Sequence, residues 1–351
     1  TGSGPQVEWV LPQFAPVPVV PLDRPVAHLH IDRMAEAEPR QKESPTALED
    51  LLYYPHKWVF RHQLELRGTP ILSIASENRL RGNLSHLFVE RLLNAIKEGV
   101  VAPDKTAVQG WVYDNADTLL QREGAVLLEY GQEPERIQFV RTMAYSAWSL
   151  VHYINENGWR IRGSEERVMG ELEPMGGQEV RGRADLVLER EKDGRFEVAV
   201  VDLKWRGKTV FRNLLRNAKD VQLCLYAEFI RQNWTEPGAE PGPQPGTVHT
   251  AYYILRDAQM LSRNEMAFAN IETESGPETA EVVQAATLKK IRATYNWRWD
   301  QFAAGVVEVR CADTLGELED RYLNEPHDER LEMEQGDARF DDYRSLIGLV
   351  R

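Results

Sequence analysis

The chain has 351 residues, 42% of them hydrophobic, and a formal net charge of −13; that length allows one large domain or two. No apolar run reaches the roughly 20 residues a membrane span needs, and the charge excludes a protein that coats nucleic acid by bulk electrostatics, though not an enzyme with a local basic groove. Two cysteines, Cys224 and Cys311, are too few for a disulfide framework or a four-cysteine metal site and fit a reducing, cytoplasmic compartment.

Residues 1 to about 44 are Pro-rich ("LPQFAPVPVVPLDRP") and read as a tether, partly extended or packed on the surface. The start lacks both Met and a basic-then-apolar leader, which reads as a scar ahead of a fragment of something longer. "SPTALEDLLYYPHKWVFRHQLEL" then opens a helix, with Ser44 as N-cap, Pro45 at the first position and Leu48, Leu51 and Leu52 at helical spacing. In "RLRGNLSHLFVERLLNAIKEG", Leu84, Leu87, Phe88 and Leu92 form the apolar face of a second helix. Residues 105 to 157 are expected to be largely helical, closed by Asn157-Gly158.

The texture then changes to β-branched runs, "RVMGELEPM", "EVRGRADLVLER" and "RFEVAVVDLKW", with turns at Gly176-Gly177 and Asp193-Gly194; the latter suits a tight hairpin. One long helix is expected over "FRNLLRNAKDVQLCLYAEFIRQNW", a Pro/Gly loop over "TEPGAEPGPQPGT" and a further strand at "VHTAYYIL". The order helix, three strands, helix, strand makes an α/β core with a mixed sheet. Residues 278 to 304 are helical again, and from about 313 to 351 the chain reads as an acidic, loosely packed tail or interaction segment.

Asp202 and Lys204, two apart on a strand, emerge on one face where the strand leaves the core. Asp185 precedes the hairpin and is placed to lie beside Asp202. A buried carboxylate is costly unless paired or bound to a cation, and two carboxylates converging at a strand end make a hard-oxygen site suited to Mg²⁺ or Mn²⁺. A lysine beside such an ion orients water and stabilises charge developing on a phosphate. An arbitrary Asp-x-Lys is ordinarily a surface pair, so the reading rests on its neighbours. Gln222 and Tyr226 share a face of the following helix, as do His86 and Glu90 on the earlier one. Lys204, Arg206, Lys208, Arg212, Arg216 and Lys219 run without an intervening acid, a pattern that reads as a phosphate-contacting strip with Trp205 and Phe211 interleaved.

In order along the chain, "SPTALEDLLYYPHKWVFRHQLEL", "RGNLSHLFVERLL", "GRADLVL", "VVDLKW" and "QLCLYA" resemble the RecB-like branch of the PD-(D/E)XK nucleases, over roughly residues 44 to 310. The resemblance implies a restriction-endonuclease-like core with a large helical insertion (about 45–158), a catalytic sheet (about 159–260) and a nuclease domain ending near 312. It implies that His86, Asp185, Asp202 and the Leu203 carbonyl bind Mg or Mn and that Lys204 is catalytic. Gln222 and Tyr226 would form the family's helix motif, with Glu165 or Glu166 as accessory acid. Several relatives carry an iron–sulfur cluster whose first cysteine precedes the proline of the first motif; Tyr54 stands there, so a cluster-free member is expected. No Walker-type Gly-x-x-x-x-Gly-Lys loop occurs, so the helicase motor of RecB-type machines is missing from this sequence. The expected activity is metal-dependent hydrolysis of DNA phosphodiester bonds, within a larger repair, recombination or phage-defence system. The competing expectation is a non-cleaving nucleic-acid-binding scaffold, and a small-phosphate hydrolase is disfavoured by the basic strip.

Overall fold

The computed structural model describes residues 26–66, 77–171, 178–234 and 245–271, then 273–311 apart from 275 and 277, and beyond these 314, 316–318, 329–332 and 341–348. The start up to residue 25, the Gly176-Gly177 turn, residues 235–244 of the Pro/Gly loop and most of the acidic end lie outside these.

The central sheet is built by β3 (Arg160–Glu171), β4 (Glu179–Lys192), β5 (Arg195–Lys204), β6 (Thr247–Ile254) and β7 (Gln259–Ser262). β3, β4 and β5 are successive antiparallel neighbours, β6 lies parallel to β5, and β7 returns antiparallel on β6. The β4–β5 hairpin closes at Asp193 (φ 53°) and Gly194 (φ 71°). These two left-handed residues are what a two-residue turn needs to match strand twist. The sheet is mixed, as expected.

Helices cover both faces. On one face, α1 (Pro45–Tyr53), α2 (Pro55–Trp58), α7 (Val221–Gln232) and α8 (Ala280–Ala303) bury Leu48, Leu52, Trp58, Leu225 and Phe229 against Val198, Val200 and Ile254. On the other, α3 (Glu77–Lys97), α4 (Lys105–Glu123) and α5 (Glu133–Glu156) bury Phe88, Val112, Phe139 and Met143 against Leu186, Ala199, Val201 and Tyr253. A strand covered on both faces reads as an unbroken apolar run, and "VAVV" in β5 is such a run. The Ser44 hydroxyl accepts the Ala47 N–H at 3.1 Å, the N-cap expected there.

Three expectations are corrected. From residue 26 the Pro-rich start is part of the fold and not a tether. β1 (His28–His30) pairs with β8 (Val306–Glu308), β2 (Lys42–Glu43) runs parallel to the start of β4, and the buried Glu43 accepts a hydrogen bond from Trp58 Nε1 at 3.1 Å. The single long helix is two, α6 (Lys208–Arg216) and α7. The chain turns at Ala218 (φ 52°) because buried Asp220 is drawn to Arg263. Residues 341–348 of the acidic end are not loose. Asp341 meets buried His56 at 2.9 Å, the Tyr343 hydroxyl donates to the Leu66 carbonyl at 2.7 Å, and Ile347 joins the α1–α8 core.

Candidate active site

Leu186 pairs with Val201, and Ala184 and Leu186 flank a register with Glu166 and Ser164. Carried on, the same registers set Glu165 beside Asp185 and Asp185 beside Asp202, a row of three acids across β3, β4 and β5. Two strands of this row, β3 and β4, are irregular at it. Glu165 holds φ 53° in mid-strand, a left-handed conformation that costs a non-glycine residue of order 1–3 kcal/mol. On β4 the alternation slips at Asp185: Val180 and Ala184 face α1 and α7, whereas beyond it Leu186 faces α3–α5 and Val187 faces α1 and α7.

His86 joins the row from α3, whose Leu84, Phe88 and Leu92 are buried against α4 and α5. Its Nδ1 lies 3.5 Å from Asp185 Oδ1, while Asp185 Oδ2 accepts the Leu203 N–H at 2.7 Å. Ligand atoms of His86, Glu165 and Asp185 lie within 4.8 Å of one another. Asp202, 2% exposed, stands next to this group. Its Oδ2 is ion-paired with Lys204 Nζ at 2.6 Å. One imidazole, two half-buried carboxylates and a buried carboxylate beside them form a donor set that fits a hard divalent cation. Of the two candidate accessory acids, Glu165 offers an oxygen to this group, whereas Glu166 accepts from Arg162 Nε at 2.7 Å.

The charges answer one another. Burial pushes the Asp202 carboxyl up to about 6, against the pull of Lys204. Burial works the same way on Asp185, but His86, Lys204 and the Leu203 N–H outweigh it and hold Asp185 below its ordinary value. Burial disfavours the cations of Lys204 and His86, yet Asp202 and Asp185 hold Lys204 up and Asp185 holds His86 up. Glu165 is raised by burial and then by Asp185.

Beside this group lies a cavity of about 540 Å³ lined by His86, Glu165 and Lys204, with the basic Arg79 and Arg206 and the acidic Glu90 and Glu123 around them. Leu203 lines it too. Gln222 and Tyr226 do not. The Gln222 amide donates to the Tyr226 hydroxyl at 3.0 Å, and that hydroxyl donates to the Arg183 carbonyl at 2.8 Å, two residues before Asp185. The pair thus ties α7 to β4 next to Asp185.

The basic strip is only partly open to a phosphate chain. Glu274, 2% exposed at its side chain, takes Arg212 Nε at 2.5 Å and Arg216 Nε at 2.6 Å, and Lys219 pairs with Glu332 at 3.4 Å. Arg206 remains at the cavity and Lys208 opens α6. Trp205 and Phe211 are 8% and 7% exposed and pack on Phe139 and Tyr252, so they support the loop and offer no free stacking platform. Three residues went unnoticed in the sequence. Arg79 and Asn83 precede His86 by seven and three positions, a helical spacing that places them on its face of α3. Glu49, on α1, sits close to Lys204 and Asp202, and burial raises its carboxyl to about 7.

A helix–three strands–helix–strand core that gathers two aspartates and a lysine at adjoining strand ends is the construction of a restriction-endonuclease-like nuclease. The family model described as PD-(D/E)XK nuclease superfamily matches residues 42–328, and the chain belongs to that superfamily. Among curated proteins, no match to the chain was found. No helix among the described residues is long and apolar enough to cross a membrane.

Proposed function

We propose that the chain is a RecB-like, metal-dependent deoxyribonuclease that hydrolyses DNA phosphodiester bonds. What carries the reading is the cluster of His86, Glu165 and Asp185, with the buried Asp202–Lys204 pair beside it, at a cavity lined by His86, Glu165 and Lys204. His86, Asp185 and Asp202 would hold Mg²⁺ or Mn²⁺, with Glu165 and the Leu203 carbonyl completing the set. Such an ion polarises a phosphate and lowers the pKa of bound water. Lys204 holds the attacking water and offsets charge developing on the phosphate. Arg79, Arg206 and Lys208 hold the neighbouring phosphates of the strand. With two cysteines in the chain, an iron–sulfur cluster of the four-cysteine kind is not part of the proposal. Membership of a larger repair, recombination or defence assembly, with a helicase on another chain delivering DNA, follows from the RecB-like motifs, and a cytoplasmic location follows from the cysteine usage.

The test is digestion of labelled linear and circular DNA, single- and double-stranded, with Mg²⁺, Mn²⁺ or EDTA. Cleavage is expected with metal only, and Asp202→Ala and Lys204→Ala are expected to lower it by at least about 100-fold with the fold intact by circular dichroism. Variants that cut at the parent rate would refute the assignment. Calorimetry that detects no Mn²⁺ binding would favour the non-cleaving scaffold.

A further inference from the structure

Trp205 and Phe211 are packed away from solvent, so any aromatic platform for the substrate has to come from another element. The sheet end that carries Lys204 offers one. Lys204 pairs with Ile254 in the parallel β5–β6 register, and the Leu255 N–H donates to the Lys204 carbonyl at 2.8 Å. The β6–β7 turn, Leu255 to Ala258, therefore stands beside the stretch Leu203 to Arg206 that lines the cavity. It also holds the start of α6. Gly207 is the N-cap there and has no side chain to give, and Asp257 Oδ2 accepts the Lys208 N–H at 3.2 Å instead. Arg256 reaches over the same loop, since a Cβ added at Gly207 would fall 2.9 Å from its Nη2.

Helix α5 walls the other side of this turn. Phe139 packs on Trp205 with ring centroids 5.4 Å apart, and further along the helix the Ser149 hydroxyl donates to the Ala258 carbonyl at 3.2 Å. The helix thus runs from the cavity wall to the turn. Tyr145 lies one helical turn before Ser149, on the same face, and is 61% exposed. Arg141, a further turn back, is exposed as well. A single exposed aromatic is ordinary, but Tyr145 stands where a basic path leads away from the cavity: Arg206 at its wall, Lys208 opening α6, and Arg256 on the turn, its side chain 56% exposed. The acid on this path is engaged, for Asp257 holds the Lys208 N–H and lies 3.5 Å from Arg256.

We infer that Tyr145 and Arg256 extend the substrate path out of the cavity, Arg256 joining Arg206 and Lys208 on successive phosphates while the Tyr145 ring stacks on a base. This rests on the nuclease reading above and narrows its substrate to DNA with unpaired nucleotides next to the cut. A base inside a duplex has both faces covered by its neighbours and offers none to a side chain. Stacking of this kind tolerates any base, so no sequence preference comes with it.

Binding is measured apart from cutting, by fluorescence anisotropy of labelled oligo(dT), and of its duplex with oligo(dA), on the full chain in EDTA. Tyr145→Ala is expected to weaken oligo(dT) binding about 5- to 100-fold and to leave duplex affinity within about twofold. Tyr145→Phe, which keeps the ring, is expected to bind oligo(dT) as wild type does. Arg256→Ala is expected to flatten the log–log salt dependence of oligo(dT) binding by about 0.7. With Mn²⁺, KM for single-stranded DNA is expected to rise in step with the lost affinity, with kcat within about twofold. Wild-type affinity for oligo(dT) in Tyr145→Ala, an equal loss on single strand and duplex, or a wild-type chain that binds no oligo(dT) would each overturn the inference. A chain that binds oligo(dT) through Tyr145 but cuts no DNA with Mg²⁺ or Mn²⁺ sinks the nuclease reading and leaves this surface standing. Cutting that is equal in wild type, Tyr145→Ala and Arg256→Ala sinks this inference alone.

Discussion

Asp202 carries a charge that the metal-free fold resists. It is almost fully buried and crowded by Asp185, and burial lifts its carboxyl from 3.8 to about 6 despite Lys204. Between those two values the folded state binds more protons than the unfolded one, so stability falls as pH rises through that window and stays lower above it. Two units correspond to about 3 kcal/mol. His86 works in the same direction, because its raised folded value gives stability that is present in acid and lost as pH climbs through it. Asp185 is the opposite case: held low by His86 and Lys204 against burial, it contributes stability that fails only in stronger acid. Asp202→Asn is therefore expected to raise the stability of the metal-free protein at neutral pH by about 1–3 kcal/mol while abolishing cleavage. Thermal melts in EDTA from pH 4 to 8 check it. A variant whose melting temperature follows the wild-type slope would show that Asp202 is not the group responsible.

At the scale of elements, the site depends on how closely α7 approaches β4. A Cβ added at Gly182 would lie 2.6 Å from Tyr226 Cε1 and about 3.0 Å from Pro45 Cγ, and Tyr226 is pinned by its bond to the Arg183 carbonyl. Gly182→Ala is expected to cost about 1–3 kcal/mol by overpacking and to lower kcat by shifting Asp185. Urea denaturation and steady-state kinetics would show both effects, and an alanine enzyme with unchanged stability and rate would mean that α7 adjusts freely. The glycine of "GRADLVL" thus has a packing reason that its sequence context does not disclose. What was legible from sequence was local: the Asp-Gly turn, the Ser44 cap, and the alternation that puts Asp202 and Lys204 on one face. The hairpin then brings Asp185 near them, one position beyond the last register pair, Leu186 with Val201. Features made by distant partners were not legible. Asp220 bends the expected long helix through Arg263, 43 residues on. Glu274, 58 residues beyond Arg216, neutralises part of the basic strip.

At the scale of the whole molecule, a chain of net charge −13 must receive a polyanion, and the approach has to be local. The cavity mouth offers Arg79 and Arg206, with Lys208 beginning the next helix, whereas Arg212 and Arg216 are already held by the buried Glu274. Phosphate contacts release counterions, so each one steepens the fall of affinity with salt by roughly 0.7–0.9 in a log–log plot. Arg79→Ala and Arg206→Ala are each expected to raise KM for DNA and flatten the salt dependence by about one such contact, with kcat within about twofold. Arg212→Ala and Arg216→Ala are expected to leave that slope alone and to lower stability instead, because each removes one of the two arginines that neutralise the buried Glu274. KM for a labelled substrate between about 50 and 200 mM salt, set beside denaturation midpoints, separates the two groups. If the slope flattened in the α6 variants and not in those at the mouth, Glu274 would have to yield its arginines to the DNA. The strand would then run over α6 and not past α3.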